Sequence, residues 1–120
     1  MSMRNRKAAH IDTTDLDRLI EANPLWGFSN LDLIGERRGH FLVQEWKRPG
    51  EEMRDGQRLL LKALSATPRF TVLIVTGDTD DGTTVTEVRQ VLVDRLRLVG
   101  TRLDELQEFI RSWYEEVDGA

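Results

Sequence analysis

The run FTVLIVT, residues 70–76, constrains the fold of this chain more than any other feature. It is almost continuously apolar and rich in β-branched residues, which is typical of a buried strand. Because its apolar side chains point to both sides of the backbone, both faces of its sheet must be covered. We therefore expect a central strand with other elements packed on each face.

The surrounding patterns predict the elements that cover this strand. In chain order they predict a helix in 13–28, strands at 30–36 and 39–47 that form a hairpin, a helix in 48–66, the strand at 70–76, one further strand or two short ones in 83–93, and a helix at 101–117. Asn23-Pro24 should end the first helix, and Thr101 should cap the last one. The order predicts an α/β sandwich with a mixed central β-sheet flanked by helices.

Length and composition exclude several classes of protein. The 120 residues fit one domain, which we expect at 12–120 after a flexible basic segment at 1–11. The absence of cysteine excludes a disulfide scaffold, a thiolate zinc site and a cysteine nucleophile. Two histidines, His10 and His40, cannot make a usual zinc site, so any metal would be a hard ion held by oxygens. With no long apolar run and no hydrophobic leader, we expect a cytoplasmic protein, and a phage or bacterial source would fit.

The charge is divided unevenly along the chain. Residues 1–70 hold 12 Lys and Arg against 10 Asp and Glu, a net +2, and residues 71–120 hold 5 against 11, a net −6. A basic face on an acidic protein can still bind a phosphate backbone. The candidate nucleic-acid contacts are basic residues near the hairpin and the following helix: Arg37, Arg38, Arg48, Arg54, Arg58 and Lys62. The last three have helical spacing, so they form either a phosphate-binding stripe or a solvated helix face.

Charged residues on one face of the hairpin indicate a candidate site. Glu45 and Lys47 share a strand face, and Trp46 points to the other face. A two-residue loop at Arg37-Arg38 makes Asp32 a diagonal neighbour of Glu45, whereas a four-residue loop sets them directly opposite. In both registers Asp32, Glu45 and Lys47 lie on one face, whereas a three-residue loop without a bulge would separate them. Two carboxylates at that spacing can hold one divalent cation. Lys47 could then reach a metal-bound water or a phosphate.

Asp32, followed after twelve intervening residues by Glu45-Trp46-Lys47, resembles the signature of the PD-(D/E)xK nuclease superfamily. The order of elements over about residues 12–76 is also similar to the core of that superfamily. The helix after Lys47, with Gln57 near its start, is closest to the small VRR-NUC-type and Holliday-junction-resolvase-like nucleases. Leu31 stands where the named motif has proline. The resemblance implies a restriction-endonuclease-like fold and an Mg²⁺-dependent endonuclease that hydrolyses phosphodiester bonds in DNA, including structured or branched DNA.

The resemblance also implies roles for individual residues. Asp32 and Glu45 would bind Mg²⁺ or Mn²⁺ together with the Trp46 backbone carbonyl. Lys47 would serve the attacking water, and Gln57 would orient water, metal or phosphate. Glu21 is in position to match an acid that many members carry on the first helix.

Other interpretations of the same residues stay open. Glu45 and Lys47 can form a weak surface pair, Asp32 can be a solvent-facing acid, and Gln57 and Glu21 can be exposed helical residues. The chain could then be a catalytically inactive nuclease-fold module that binds DNA or a protein partner. Because one small domain offers limited surface for DNA, the nuclease hypothesis also predicts a homodimer.

Overall fold

The computed structural model describes residues 14–29 and 31–119, which belong to two compact units, Met1–Asn30 and Leu31–Ala120. Among residues 14–29, the described part of the first unit, only Thr14–Leu16 is helical, as a 3₁₀ turn, so the predicted helix in 13–28 is wrong. Arg18 has a φ of 60°, a left-handed conformation that a helix cannot contain. Leu19 and Ile20 are exposed, so the apolar stripe gains no burial to stabilise a helix. The predicted flexible segment at 1–11 lies outside the described residues.

The second unit is a five-stranded mixed sheet with two helices. The strands are β1 (Leu33–Arg37), β2 (His40–Lys47), β3 (Phe70–Asp78), β4 (Thr84–Val91) and β5 (Leu96–Gly100), and the helices are α1 (Asp55–Ser65) and α2 (Leu103–Asp118). The strands lie in the order β1-β2-β3-β4-β5. Only β2 and β3 are parallel, and α1 makes the crossover that a parallel pair requires. The predicted α/β class and mixed sheet are confirmed, whereas β5 was not predicted as a separate strand.

The central position of β3 explains its apolar sequence. Val72, Leu73 and Val75 are fully buried, because β3 has neighbours on both edges and a helix over each face. One core cluster contains Leu73 and Val75 with Leu106 of α2, and we call this side of the sheet the α2 face. The other cluster contains Val72 with Leu61 of α1, and we call this side the α1 face.

The α1 helix turns Leu61 and Leu64 to the sheet. Leu61 is buried and Leu64 packs against the same cluster, whereas Leu59 is 68% exposed. Gln57 lies one helical turn before Leu61 and therefore on the same, sheet-facing side. This placement directs Gln57 toward β2.

The β1–β2 hairpin turns one residue later than the predicted loop at Arg37-Arg38. Arg37 pairs with His40, and the two central residues are Arg38 and Gly39, with φ of 52° and 80°. Positive φ at both positions is the type I′ geometry that matches the twist of paired strands. The resulting register pairs Leu33 with Gln44. It is the register of the four-residue loop, which sets Asp32 opposite Glu45.

Within residues 14–29 and 31–119, neither α1 nor α2 is long and apolar enough to span a membrane.

Candidate active site

Glu45 is a buried acid at the end of β2. Its side chain points to the α1 face, and the residue is only 4% exposed. The Gln57 side-chain amide donates a hydrogen bond to Glu45 Oε2. The other Glu45 oxygen, Oε1, is buried and accepts no hydrogen bond from any described residue. A buried carboxylate oxygen without a partner is costly to desolvate, so it has strong affinity for a cation or a donor.

Asp32 stands immediately before β1, at the position opposite Glu45. Its Oδ2 accepts a hydrogen bond of 2.7 Å from the Trp46 backbone N–H. The β1–β2 pairing ends at Leu33 and Gln44, so the Asp32 carboxylate takes the place of a strand acceptor beyond that point. This contact holds the Asp32 side chain against the end of β2, beside Glu45.

Burial raises the pKa of the Glu45 carboxyl group. The negative charge of Asp32 adds to this effect, whereas the nearby Asp32 backbone N–H and the hydrogen bond from Gln57 oppose it, so the pKa of Glu45 is raised to about 7. Near neutral pH this carboxyl group is therefore divided between its protonated and ionised forms. A positive charge placed between Glu45 and Asp32 would favour the ionised form.

The side chain and the backbone of Trp46 contact different parts of the fold. The indole packs against the α2-face core, as the strand pattern predicts, and its Nε1 donates a 3.0 Å hydrogen bond to Gln44 Oε1. In a strand, the N–H and C=O of one residue point to the same neighbouring strand. Because the Trp46 N–H reaches Asp32, its carbonyl also points to the β1 side. The strand geometry thus directs the Trp46 carbonyl to the β1 edge of β2, where Asp32 lies beside Glu45.

Lys47 ends β2 and is held by the turn that follows. Its ammonium Nζ donates a 3.2 Å hydrogen bond to the Glu51 carbonyl. The turn is closed by the Glu51 N–H bonded to the Arg48 carbonyl at 3.0 Å, and Gly50 supplies a φ of 81°. Lys47 thus lies on the same strand face as Glu45, and its amine contacts the turn that follows β2.

Sequence reasoning missed the part that Glu51 plays in this arrangement. Besides its carbonyl contact to Lys47, its carboxylate Oε1 accepts a 2.8 Å hydrogen bond from the Arg48 N–H. The Pro49-Gly50 pair was the available signal, because that dipeptide favours a tight turn that brings the residues on either side together.

Gln57 and Glu21 are the two residues that only the resemblance suggested. Gln57 bonds Glu45, so its predicted place beside the acids is observed. Glu21 is exposed and belongs to the other compact unit, Met1–Asn30, so its role remains a prediction.

A metal at this site would depend on few protein ligands. Within 14–29 and 31–119 no group of three or more acidic or histidine side chains could hold a metal ion. Asp32 and Glu45 remain as a pair, with the Trp46 carbonyl on their side of β2. All three supply oxygens, the donors that Mg²⁺ and Mn²⁺ prefer, and Mg²⁺ commonly uses one or two carboxylates with several waters. The unpartnered Glu45 Oε1 fits a cation of this class.

The predicted nucleic-acid contacts divide between the two faces. Arg37 lies on the α2 face, where it bonds Asp118 through Nε at 2.7 Å and stacks 5.1 Å from the Tyr114 ring centroid. Arg48 pairs with Asp80. The other four are exposed and form no ion pair with a described residue: Arg38, Arg54, Arg58 and Lys62. Arg37 is therefore separated from the acids, and contacts by the others remain predictions.

No family model, no curated protein and no solved structure matches this chain. The assignment of a function therefore depends on the geometry of the site and on the motif.

Proposed function

We propose that this chain is a metal-dependent nuclease that hydrolyses phosphodiester bonds in DNA, with Asp32, Glu45, Lys47 and Gln57 as its active site. The observation that carries the proposal is the buried Glu45 carboxylate with one unpartnered oxygen, set opposite Asp32 and held by Gln57. Such an arrangement costs folding free energy, and a cation-dependent function explains why it is present. The order β1, β2, α1, β3 also supports a restriction-endonuclease-like fold.

Each residue would have a distinct role. Asp32 and Glu45 would bind Mg²⁺ or Mn²⁺ with the Trp46 carbonyl. A bound cation would lower the pKa of a coordinated water and offset the charge that develops on the phosphate. Gln57 fixes one Glu45 oxygen, so that the other stays directed to the ligand. Lys47 would hold the attacking water or the phosphate by its ammonium group.

Hydrolysis would add the oxygen of water to phosphorus and break one bond between phosphorus and a sugar oxygen. The displaced sugar oxygen takes up a proton, and the new phosphate end keeps the negative charge. Lys47 would then act on the water or the phosphate, and the two carboxylates would act only through the cation.

Cleavage assays test this proposal. Purified protein would be incubated with supercoiled plasmid, a four-way junction, and labelled single and double strands, each in Mg²⁺, Mn²⁺ and EDTA. We expect cleavage that needs a divalent cation. It should fall at least about 100-fold in Lys47→Ala, within the range of losses for acid–base groups, and by a similar factor in Glu45→Gln, which removes a carboxylate ligand of the cation. Glu115→Gln, an exposed acid of α2, is the matched control and should retain full activity.

Two results would contradict the nuclease. Full activity in Glu45→Gln or Lys47→Ala would exclude these residues as the site. No cleavage of any substrate, with binding unchanged by EDTA, would favour the inactive module that binds DNA or a protein partner.

The proposed enzyme acts as a homodimer, since a domain of this size offers limited surface for DNA. Light scattering at the assay concentration should give twice the monomer mass, and a monomer would contradict this part alone.

A further inference from the structure

A groove with a volume of about 710 Å³ lies on the α1 face, between α1 and the β4–β5 hairpin. Its size falls within the range of about 300–1,000 Å³ that is typical of small-ligand sites. Lys47 lines the groove together with residues of β4 and β5. Across the sheet Lys47 pairs with Thr76 and Thr76 with Glu87, whereas Val91 pairs with Leu96 at the far end of β4. The groove therefore leads away from the candidate active site, with Lys47 at its near end.

The two long walls of the groove differ in chemistry. On α1, Arg58 and Lys62 lie one turn apart, are exposed, and form no ion pair with a described residue. The opposite wall contains the exposed apolar side chains of Val93 and Leu96 beside arginines that are paired with acids. One wall thus suits phosphate groups and the other suits an apolar, planar group.

Two of the four acidic residues that line the groove are paired with arginine. Glu87 is paired with Arg89 at 2.9 Å, and Asp94 with Arg95 at 3.2 Å. The other two precede α1: Glu51 accepts a hydrogen bond within the turn beside Lys47, and Glu52 follows it. On α1 itself, the charge that a ligand meets in the groove is that of Arg58 and Lys62.

We propose that this groove binds a short unpaired stretch of the nucleic acid, next to the phosphate that lies at Lys47. The inference rests on the proposed function, because it places the groove beside the bond to be cut. Phosphates would follow Arg58 and Lys62, and the attached bases would lie against Val93 and Leu96. The proposed substrate class is a strand with an unpaired end or segment at the cleavage point.

Unpaired nucleotides fit the groove better than a duplex. In a double helix the base faces are stacked inside and only the backbone and groove edges are exposed, so an apolar wall has nothing to contact. Bases of a single strand can turn their faces to protein, and such contacts are tolerant of sequence. Exposed apolar side chains opposite a basic wall therefore favour unpaired nucleotides over a duplex.

Binding measured in EDTA tests the groove without cleavage. Fluorescently labelled blunt duplex would be compared with the same duplex carrying a tail of four thymidines at either end, by anisotropy over a range of salt concentrations. We expect the full chain to bind a tailed duplex at least tenfold more tightly. Lys62→Glu, Arg58→Glu and Leu96→Asp should each remove that preference. For the charge reversals, the slope of log affinity against log salt should fall by about 0.7 for each lost phosphate contact.

Arg111→Glu is the matched control, since it reverses an exposed charge on α2, and circular dichroism would confirm that each variant is folded. Equal affinity for blunt and tailed duplexes, or an unchanged preference in the groove variants, would overturn the inference. A tail preference that the groove variants remove, in a protein that cleaves nothing in Mg²⁺ or Mn²⁺, would support the groove and contradict the nuclease. The two proposals therefore fail separately.

Discussion

The two faces of the sheet are built from the same strands but bury different groups. The α2 face covers its core with the 16-residue helix α2 and a large apolar set, including Leu106. The α1 face has the 11-residue helix α1, a smaller apolar cluster, and the buried acid Glu45. It also leaves Leu96 and Leu98 of β5 exposed.

The α2 face contributes mainly stability, whereas the α1 face carries the candidate site. Apolar burial on the α2 face stabilises the fold without any polar cost. On the α1 face, Glu45 has lost most of its water and has an unpartnered oxygen, which lowers stability. A fold of this size can carry such a cost on one face because the other is well packed, and this is the usual relation between a site and its scaffold.

The largest stability effect should come from the α2 face. Shortening Leu106 to alanine should lower the free energy of unfolding by about 2–5 kcal/mol, because it removes methyl groups from a packed core and leaves a cavity. Urea unfolding at 25 °C measures the loss. Leu59→Ala, at an exposed position of α1, should stay within about 0.5 kcal/mol of the parent. Similar losses in both variants would contradict the assignment of the core.

On the α1 face, stability should depend on pH through Glu45. Its pKa is about 7 in the folded protein and near the ordinary value of 4.5 when unfolded. The folded state therefore binds this proton more tightly, and the stabilisation is complete below about pH 4.5 and lost as pH rises to about 7. Glu45→Gln cannot titrate, so its thermal midpoint should fall less than that of the parent over this range.

The thermal midpoint also tests whether a cation binds at Glu45. At pH 8, millimolar Mg²⁺ in place of EDTA should raise the thermal midpoint of the parent, and at pH 5 the rise should be smaller because Glu45 is protonated. Glu45→Gln should respond least at both values. An equal response of parent and variant at pH 8 would place any bound cation elsewhere.

The smallest effect should follow the loss of Arg37. Its exposed pair with Asp118 and its contact with Tyr114 tie β1 to the end of α2, so Arg37→Ala should lower the thermal midpoint slightly, and less so in high salt. Because Arg37 lies on the α2 face, cleavage at low temperature should match that of the parent. A loss of DNA binding comparable to that of Lys62→Glu would restore Arg37 to the nucleic-acid contacts.

Sequence patterns predicted the elements that local chemistry determines. The apolar run at 70–76 is the central strand, and the positions of Asp32 and Glu45 on one face follow from strand alternation. The hairpin turn was placed one residue early, because both Arg37-Arg38 and Arg38-Gly39 can form a two-residue loop. Only Gly39 favours the positive φ that decides between them.

Other features depend on contacts that no local pattern contains. The Arg37–Asp118 pair joins residues 81 positions apart. The predicted first helix is absent because its apolar residues find no burial, and the desolvation that raises the pKa of Glu45 depends on surroundings that include Gln57 of α1. In each case the missing information is which distant surface covers a residue.

The type I′ turn has a consequence for how this hairpin can change in evolution. Adding one residue to either strand would move Asp32 or Glu45 to the opposite face, whereas adding one residue to each strand preserves the pairing. Insertions should therefore be accepted in balanced pairs, unless a bulge absorbs the extra residue. Relatives that keep both acids and a two-residue turn should separate them by an even number of residues, as the twelve in this chain do.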